Sequence, residues 1–252
     1  MEKAATAVRD TLVIIPMYNE KENAAAIIDA VMSLEGGYFD ILVVDDNSPD
    51  GTATIVKNKI AQYPERVHIL EREGKLGLGT AYIEGFKWAL QRNYKYICEM
   101  DADFSHDPND LLRLRETVAD NIGDVAVGSR YVSGVNVVNW PIGRVLMSYY
   151  ASAYVKLVTG MRIHDTTAGF VCYRRCVLED MNLDSIKFKG YAFQIEMKFS
   201  AYNMKYRVVE IPIVFVNRRL GTSKMNSGIF GEALFGVIRL RWDSLFHNKK
   251  RR

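Results

Sequence analysis

Cysteine is scarce in this chain of 252 residues: Cys98, Cys172 and Cys176 are the only three. They form no disulfide framework. Cys98 lies in an apolar run and reads as core. Cys172-Tyr-Arg-Arg-Cys176 lacks the second Cys or His pair that a zinc site needs. A reducing cytosol fits this usage. Long apolar runs are missing too. No charge-free stretch reaches the ~18–20 residues needed to cross a bilayer. The longest candidate, Tyr131 to Val155, is broken by Pro141 and Arg144. Met1 to Asp10 is polar and mixed in charge, so no secretory leader is expected there. The expectation is a protein that is soluble, or that lies on a membrane without spanning it. Excess charge of one sign is absent as well: the net charge of +3 is too mild to argue for a nucleic-acid partner. Two phosphate-binding signatures are missing. The first strand–helix turn holds no G-x-G-x-x-G, and Gly74-Lys75 precedes Leu76 and is no Walker A loop.

What is present is organised around one stretch. A mostly apolar run, Tyr96 to Met100, ends abruptly in Asp101-Ala102-Asp103. Residues two apart in an extended segment point to the same side, so Asp101 and Asp103 can face one cation together. Oxygen-only ligands suit Mg²⁺ or Mn²⁺, which keep several waters and take up substrate phosphates. The same residues would also serve in a solvated turn.

Around this stretch, strands and helices alternate. Strands are expected at Thr11–Pro16, Ile41–Val44, Arg66–Leu70, Tyr96–Met100 and Asp124–Val127. Helices are expected at about 20–34, 52–62, from the Gly74–Gly79 turn to near Arg92, and 109–119 with Asp107 as its cap. The alternation predicts an α/β fold, with a mostly parallel sheet and helices on both faces. Ligands in such sheets bind beyond the C-terminal strand ends. Pro16-Met-Tyr-Asn-Glu20, Asp45-Asp46 and Asp101-Ala-Asp103 all lie there.

The second half is less regular. Helices are read at 144–158, from about 189 onward and at 229–246, with strands at 170–173 and 206–216. Most of Tyr149 to Leu157 reads as core, with an apolar groove as the alternative. Phe230, Ala233, Leu234, Val237 and Ile238 share one side of the last helix, and Lys249-Lys-Arg-Arg252 follows. That helix either packs on the domain or lies on anionic lipid beside its basic tail. No repeat or linker divides the chain. The expected organisation is a catalytic domain over residues 1–226 and a C-terminal amphipathic helix and basic tail over 227–252.

Several motifs in order carry a resemblance: Ile14-Ile-Pro-Met-Tyr-Asn-Glu20, Val43-Val-Asp-Asp-Asn-Ser-Pro-Asp-Gly51, Met100-Asp-Ala-Asp-Phe-Ser-His106 and Gly128-Ser-Arg-Tyr131. Together the chain resembles the inverting family 2 glycosyltransferases with the A-type (Rossmann-like) fold. Gly190-Tyr-Ala-Phe-Gln-Ile-Glu196 and Arg218-Arg-Leu-Gly-Thr-Ser-Lys224 are similar to the branch of polyprenyl- or dolichyl-phosphate mannose synthases.

The resemblance implies transfer of mannose from GDP-mannose to a polyprenyl (dolichyl) phosphate with inversion, on the cytosolic face of a membrane. A small membrane subunit is a further partner that it allows. It implies that Pro16, Tyr18 and Glu20 contact the nucleoside and that Val44 and Asp46 hold the guanine. Asp101, Ala102 and Asp103 would form the diphosphate and metal segment, with Asp103 the main ligand to Mg²⁺ or Mn²⁺. Ser105 stands where relatives often carry a glutamine ligand, and its shorter side chain leaves room for water. Arg130 and Arg144 would meet the acceptor phosphate and sugar, and Arg218 and Lys224 would close on the diphosphate. Each basic residue could equally sit in an exposed ion pair of little energetic weight.

The chemistry asks for these residue types, because breaking the sugar–phosphate bond adds charge to a leaving group already anionic. An anionic phosphate acceptor needs no strong general base, which fits the absence of a nucleophile–base pair. Two alternatives share most of these features: a transferase using a UDP-linked sugar, and a non-catalytic nucleotide-sugar-binding subunit. A nucleotidyltransferase fits less well, since the first loop lacks both glycine richness and a basic residue.

Overall fold

The structure, a computed structural model, describes residues 8–190, 192–217 and 229–247. Short runs of β-branched and apolar residues form the central strands. β1 (Thr11–Met17) and β2 (Phe39–Asp45) are almost wholly buried, as strands covered on both faces must be. β3 (Val67–Glu71), β4 (Tyr96–Glu99), β5 (Val125–Ser129), β7 (Val171–Arg174) and β8 (Val208–Pro212) complete a seven-stranded sheet of order β3-β2-β1-β4-β7-β5-β8. A separate parallel pair joins β6 (Val137–Val138) to β9 (Phe215–Val216).

The period of two along each strand divides the core. Val13, Ile15 and Met17 face one layer, with α1 (Ala24–Met32), α2 (Thr52–Gln62) and α4 (Asp110–Ala119). Leu12 and Ile14 face the other, with α3 (Leu78–Leu90), α6 (Arg175–Asp180) and α7 (Ala192–Asn203). A third cluster lies under α5 (Ile142–Thr159), α7 and α8 (Ile229–His247). Helix α3 runs so close to β1 that a Cβ at Gly85 would stand 2.8 Å from Ile14 Cγ2.

The strand order holds one feature that periodicity did not give. β7 inserts between β4 and β5 and runs antiparallel to both. Its start therefore lies at the same edge as the ends of β1, β2, β4 and β5. The first helix is also shorter than expected, beginning at Ala24 because the chain from Asn19 to Lys21 docks on the turn after β2. Asn19 N–H donates to Ser48 Oγ at 3.0 Å, Glu20 N–H to Thr52 Oγ1 at 3.0 Å and Lys21 N–H to Asp50 Oδ2 at 3.1 Å. Asp107 accepts the Asn109 N–H at 2.9 Å just ahead of α4, close to the expected cap.

The reading of α5 needs correcting. Only Ser152, Val155 and Thr159 of this helix are buried. Ile142, Leu146, Met147, Tyr149, Tyr150 and Leu157 are exposed. Apolar residues on several faces read as core, but α5 lies over an open cleft and is covered on one side alone. On α8, Val237 is fully buried, whereas Ile238, expected on the same side, is 49% exposed. Its outward stripe is Phe235, Ile238, Trp242 and Leu245, at the spacing of one helix face. The side chains of Phe230, Ala233 and Leu234, and the basic run Lys249–Arg252, lie outside the described residues. Among the described residues, no helix is long and apolar enough to cross a membrane.

Candidate active site

Every segment singled out at the strand ends reaches the same rim. On the β1–β2 side, Asp46 N–H donates to Met17 O at 3.0 Å, joining the first loop to the turn after β2. Asp46 is buried and its carboxylate receives Arg72 Nη1 at 2.7 Å. Burial raises the Asp46 pKa, and the guanidinium offsets only part of that. Arg72 also reaches Thr80 Oγ1 at 2.5 Å and Glu84 at 3.2 Å. Tyr18 faces the Lys75 ammonium, 5.1 Å from its ring centroid. Glu20 accepts Asn23 Nδ2 at 2.9 Å. Pro16 is half-buried on β1, and Val44 is fully buried, so its side chain packs in the core.

The acidic segment leaves β4 in a tight turn. Phe104 takes a positive φ of 58°, which turns the chain back so that Asp103 Oδ1 accepts the Ser105 N–H at 3.0 Å. Asp101 N–H donates to His106 Nδ1 at 3.4 Å, which makes that ring nitrogen the acceptor. His106 is buried, stacked on Phe170 at 4.6 Å and edge-on to Phe215 at 5.3 Å. Burial holds its pKa well below the usual imidazole value, so the ring is neutral.

Arg130 follows β5. Its Nε and Nη2 donate to Asp165 Oδ2 and Oδ1, both at 2.7 Å, in a two-pronged pair. Its backbone N–H adds a bond to Oδ2 at 3.0 Å, and Nη2 reaches Thr167 Oγ1 at 2.8 Å. Asp165 is fully buried and its pKa falls: the Arg130 charge and its hydrogen bonds outweigh desolvation. Tyr131, Trp140 and Phe215 box the guanidinium at 5.2–5.7 Å. Arg144, on the first turn of α5, lies 3.9 Å over the same Trp140 ring, with Nη1 3.3 Å from Asn217 Oδ1.

Sequence reasoning missed the groups beneath. Glu99, at the end of β4, is fully buried and accepts Gln194 Nε2 at 2.6 Å. Lys198, also fully buried, donates to Ala168 O at 2.5 Å and to Gln194 Oε1 at 3.4 Å. Burial pushes the Glu99 carboxyl up and the Lys198 ammonium down, each partly opposed by the other's charge. Asp165, Arg72 and His106 were likewise passed over. The signal available for Asp165 was Asp-Thr-Thr-Ala-Gly-Phe170, read only as a loop before a strand.

Asp101, Asp103, Ser105, Arg130 and Arg144 all line one cavity of about 520 Å³. Trp140, Met147, Tyr154, Ile195 and Phe215 contribute to its largely apolar wall. The Pro16–Glu20, Val44 and Asp46 positions lie outside this lining, as does buried Ala102. Arg218 and Lys224 lie outside the described residues. Among the described residues, no group of three His, Cys, Asp or Glu converges to form a complete metal site. Two carboxylates at one cavity wall fit a divalent ion completed by water and a diphosphate.

A mostly parallel sheet flanked by helices, with an acidic turn and basic side chains meeting at its strand ends, defines a glycosyltransferase of the A-type fold. The chain belongs to glycosyl transferase family 2, whose pattern matches residues 12–181. It is 48% identical over 227 residues to a polyprenol monophosphomannose synthase of Mycolicibacterium smegmatis, covering 90% of this chain and 85% of that one. It is 45% identical over 242 residues to an undecaprenyl-phosphate mannosyltransferase of Micrococcus luteus, covering 93% and 96%. Among solved structures it is similar to glucosyl-3-phosphoglycerate synthase of Mycobacterium tuberculosis in complex with Mn²⁺, UDP and glucosyl-3-phosphoglycerate. There the TM-score is 0.65 at 18% identity, over 96% of this chain and 81% of that one. That likeness bears on the fold alone.

Proposed function

We propose that the chain transfers mannose from GDP-mannose to a polyprenyl (dolichyl) monophosphate, with inversion, giving polyprenyl-phosphate β-mannose and GDP. The supporting observation is that Asp101, Asp103, Ser105, Arg130 and Arg144 share a cavity whose other walls are mainly apolar. A charged patch beside a greasy wall suits an acceptor that is a phosphate on a hydrocarbon chain. The names of the two relatives point the same way.

In this reading Pro16, Tyr18, Glu20 and Asp46 hold the nucleoside, and Val44 supports them from the core. Asp101 and Asp103, with Ser105 beside them, hold Mg²⁺ or Mn²⁺ against the diphosphate. The ion supplies charge stabilisation as the leaving diphosphate gains negative charge. Arg130 and Arg144 screen the repulsion between two anions as the acceptor oxygen approaches the sugar's C1. Because Asp165 neutralises much of Arg130, Arg144 carries more of the attraction for the phosphate. Arg218 and Lys224, outside the described residues, are assigned to the diphosphate on their sequence alone. The protein sits on the cytosolic face of a membrane. The exposed apolar stripe of α8, together with Leu146 and Tyr150 of α5, faces the lipid.

The test is transfer of labelled mannose from GDP-mannose to a polyprenyl phosphate, with and without Mg²⁺ or Mn²⁺. Metal-dependent appearance of label in the lipid fraction is expected. Transfer from a UDP-sugar alone would replace the donor and keep the mechanism. Tight nucleotide-sugar binding without turnover on any acceptor would point to a binding subunit.

A further inference from the structure

Arg130 lines the cavity, and three further charged side chains, Asp165, Glu99 and Lys198, are buried outside its lining. Glu99, Lys198 and Asp165 are each fully buried, and Gln194 between them is 2% exposed. Lys, Glu and Asp are almost never fully buried unless paired. Here the pairing follows a definite route. Gln194 and Lys198 sit one turn apart on α7, so both point to the same side of that helix. Gln194 forms part of the cavity lining itself. Its amide bridges the other two: Nε2 donates to Glu99 at 2.6 Å, and Oε1 stands 3.4 Å from Lys198 Nζ. The ammonium's shortest bond goes to the carbonyl oxygen of Ala168, at 2.5 Å. Ala168 is three residues from Asp165, whose carboxylate grips Arg130 with both oxygens.

Stability alone does not account for this arrangement. α7 is buried at nearly every position from Ala192 to Ala201, and an apolar side chain would pack there. Replacing a buried ion pair by hydrophobic groups of similar size is often neutral or stabilising. What an apolar residue cannot do is hold a backbone carbonyl at a fixed place. We infer that Lys198 is a positioning residue. With Glu99 as its counter-charge and Gln194 as the bridge, it fixes the Asp165–Gly169 loop, and through Asp165 it fixes the Arg130 guanidinium facing the acceptor phosphate. The acidic turn and the basic wall are thereby tied to one helix, because Glu99 leads directly into Asp101. The consequence for substrate rests on the functional reading above; the consequence for Arg130 does not.

The experiment uses the full chain and two variants. Lys198→Met alone leaves Glu99 buried without its counter-charge and is expected to lose stability. The double variant Glu99→Gln/Lys198→Met removes both charges at similar volume and is expected to melt close to the parent. The first readout is the Arg130 Nε–H signal in a ¹⁵N spectrum, assigned by its loss in Arg130→Lys. In the parent that N–H donates to Asp165 Oδ2 at 2.7 Å, and slow exchange is expected. In the double variant its exchange is expected to speed up at least about tenfold, since small displacements of positioned groups have large effects. The second readout is kinetic: acceptor KM rises about tenfold while donor KM stays within about threefold, because only the acceptor side is loosened. A double variant with parental melting, parental Arg130 exchange and parental acceptor KM would reduce the triad to packing and overturn the inference. If the parent transfers no sugar to any lipid phosphate, the functional reading fails. The Arg130 exchange rate still decides the positioning role.

Discussion

Replacing Asp165 by asparagine perturbs the centre of the site with almost no change of volume. Asp165 accepts two side-chain bonds from Arg130 at 2.7 Å and its backbone N–H at 3.0 Å, and it is fully buried. Arg130 is itself 8% exposed, so the variant leaves a guanidinium out of water without its counter-charge. Breaking one partner of such a pair costs about 3–5 kcal/mol. In a chain of this size that lowers the melting temperature by roughly 6–20 °C. The pH dependence carries a second signature. The fold depresses the Asp165 pKa below its ordinary value of 3.8. The unfolded chain therefore takes up the proton first as the solution is acidified. The stabilisation is present above about pH 4 and is lost as pH falls through the folded value. Denaturant melts of parent and Asp165→Asn across pH 3–7 measure both effects. The gap between the two proteins should be widest near neutrality and close toward pH 3. A gap below about 1 kcal/mol at pH 7, the size of an exposed pair, would refute the argument that this pair is desolvated.

Three other outcomes are expected. Asp103→Ala should cut transfer by about 10²–10³-fold, as losing a group that stabilises developing charge does. It should cost only about 1 kcal/mol of stability, the weight of a hydrogen bond such as that from the Ser105 N–H at 3.0 Å; a collapse of the melting transition would make it structural. Phe235→Ala/Trp242→Ala removes two exposed side chains from the α8 stripe and should weaken sedimentation with anionic vesicles by at least about tenfold. Unchanged vesicle binding would remove α8 from the membrane contact. Gly85→Ala should cost about 1–3 kcal/mol in a thermal melt, since the new Cβ would meet Ile14 Cγ2 at 2.8 Å.

Strands and helices of the first half were legible because their periods are clean: buried runs such as Val13–Met17 and Ile41–Val44 leave no other reading. Turn chemistry at Asn47–Gly51 and the abrupt end of β4 at Asp101 placed the rim. Strand order was not legible, since nothing local in Val171–Arg174 announces that it pairs antiparallel with two strands far away in sequence. The buried charges were missed for a related reason. Lys198 stands in a helix read only as beginning near residue 189, and it is the approach of Ala168 and Glu99 from distant segments that gives it partners in the core. Exposure on α5 failed in the opposite direction, because an apolar helix over a cleft has the same composition as one inside a core.

The place of β7 has a consequence for how the molecule assembles. Without it the sheet is two pieces: β3-β2-β1-β4, built from the first hundred residues, and β5-β8, which has no edge in common with the first. The strands of the first piece all lie within the first hundred residues. The second must wait for residues 171–174 to arrive and bridge the gap on both sides. Pairing over such sequence distances is slow. Because the chain leading into β7 carries Asp165 and Ala168, the strand that unites the two pieces also brings in the partner of Arg130. A chain interrupted before β7 would hold the acidic turn and Arg130 on separate bodies, with no site between them.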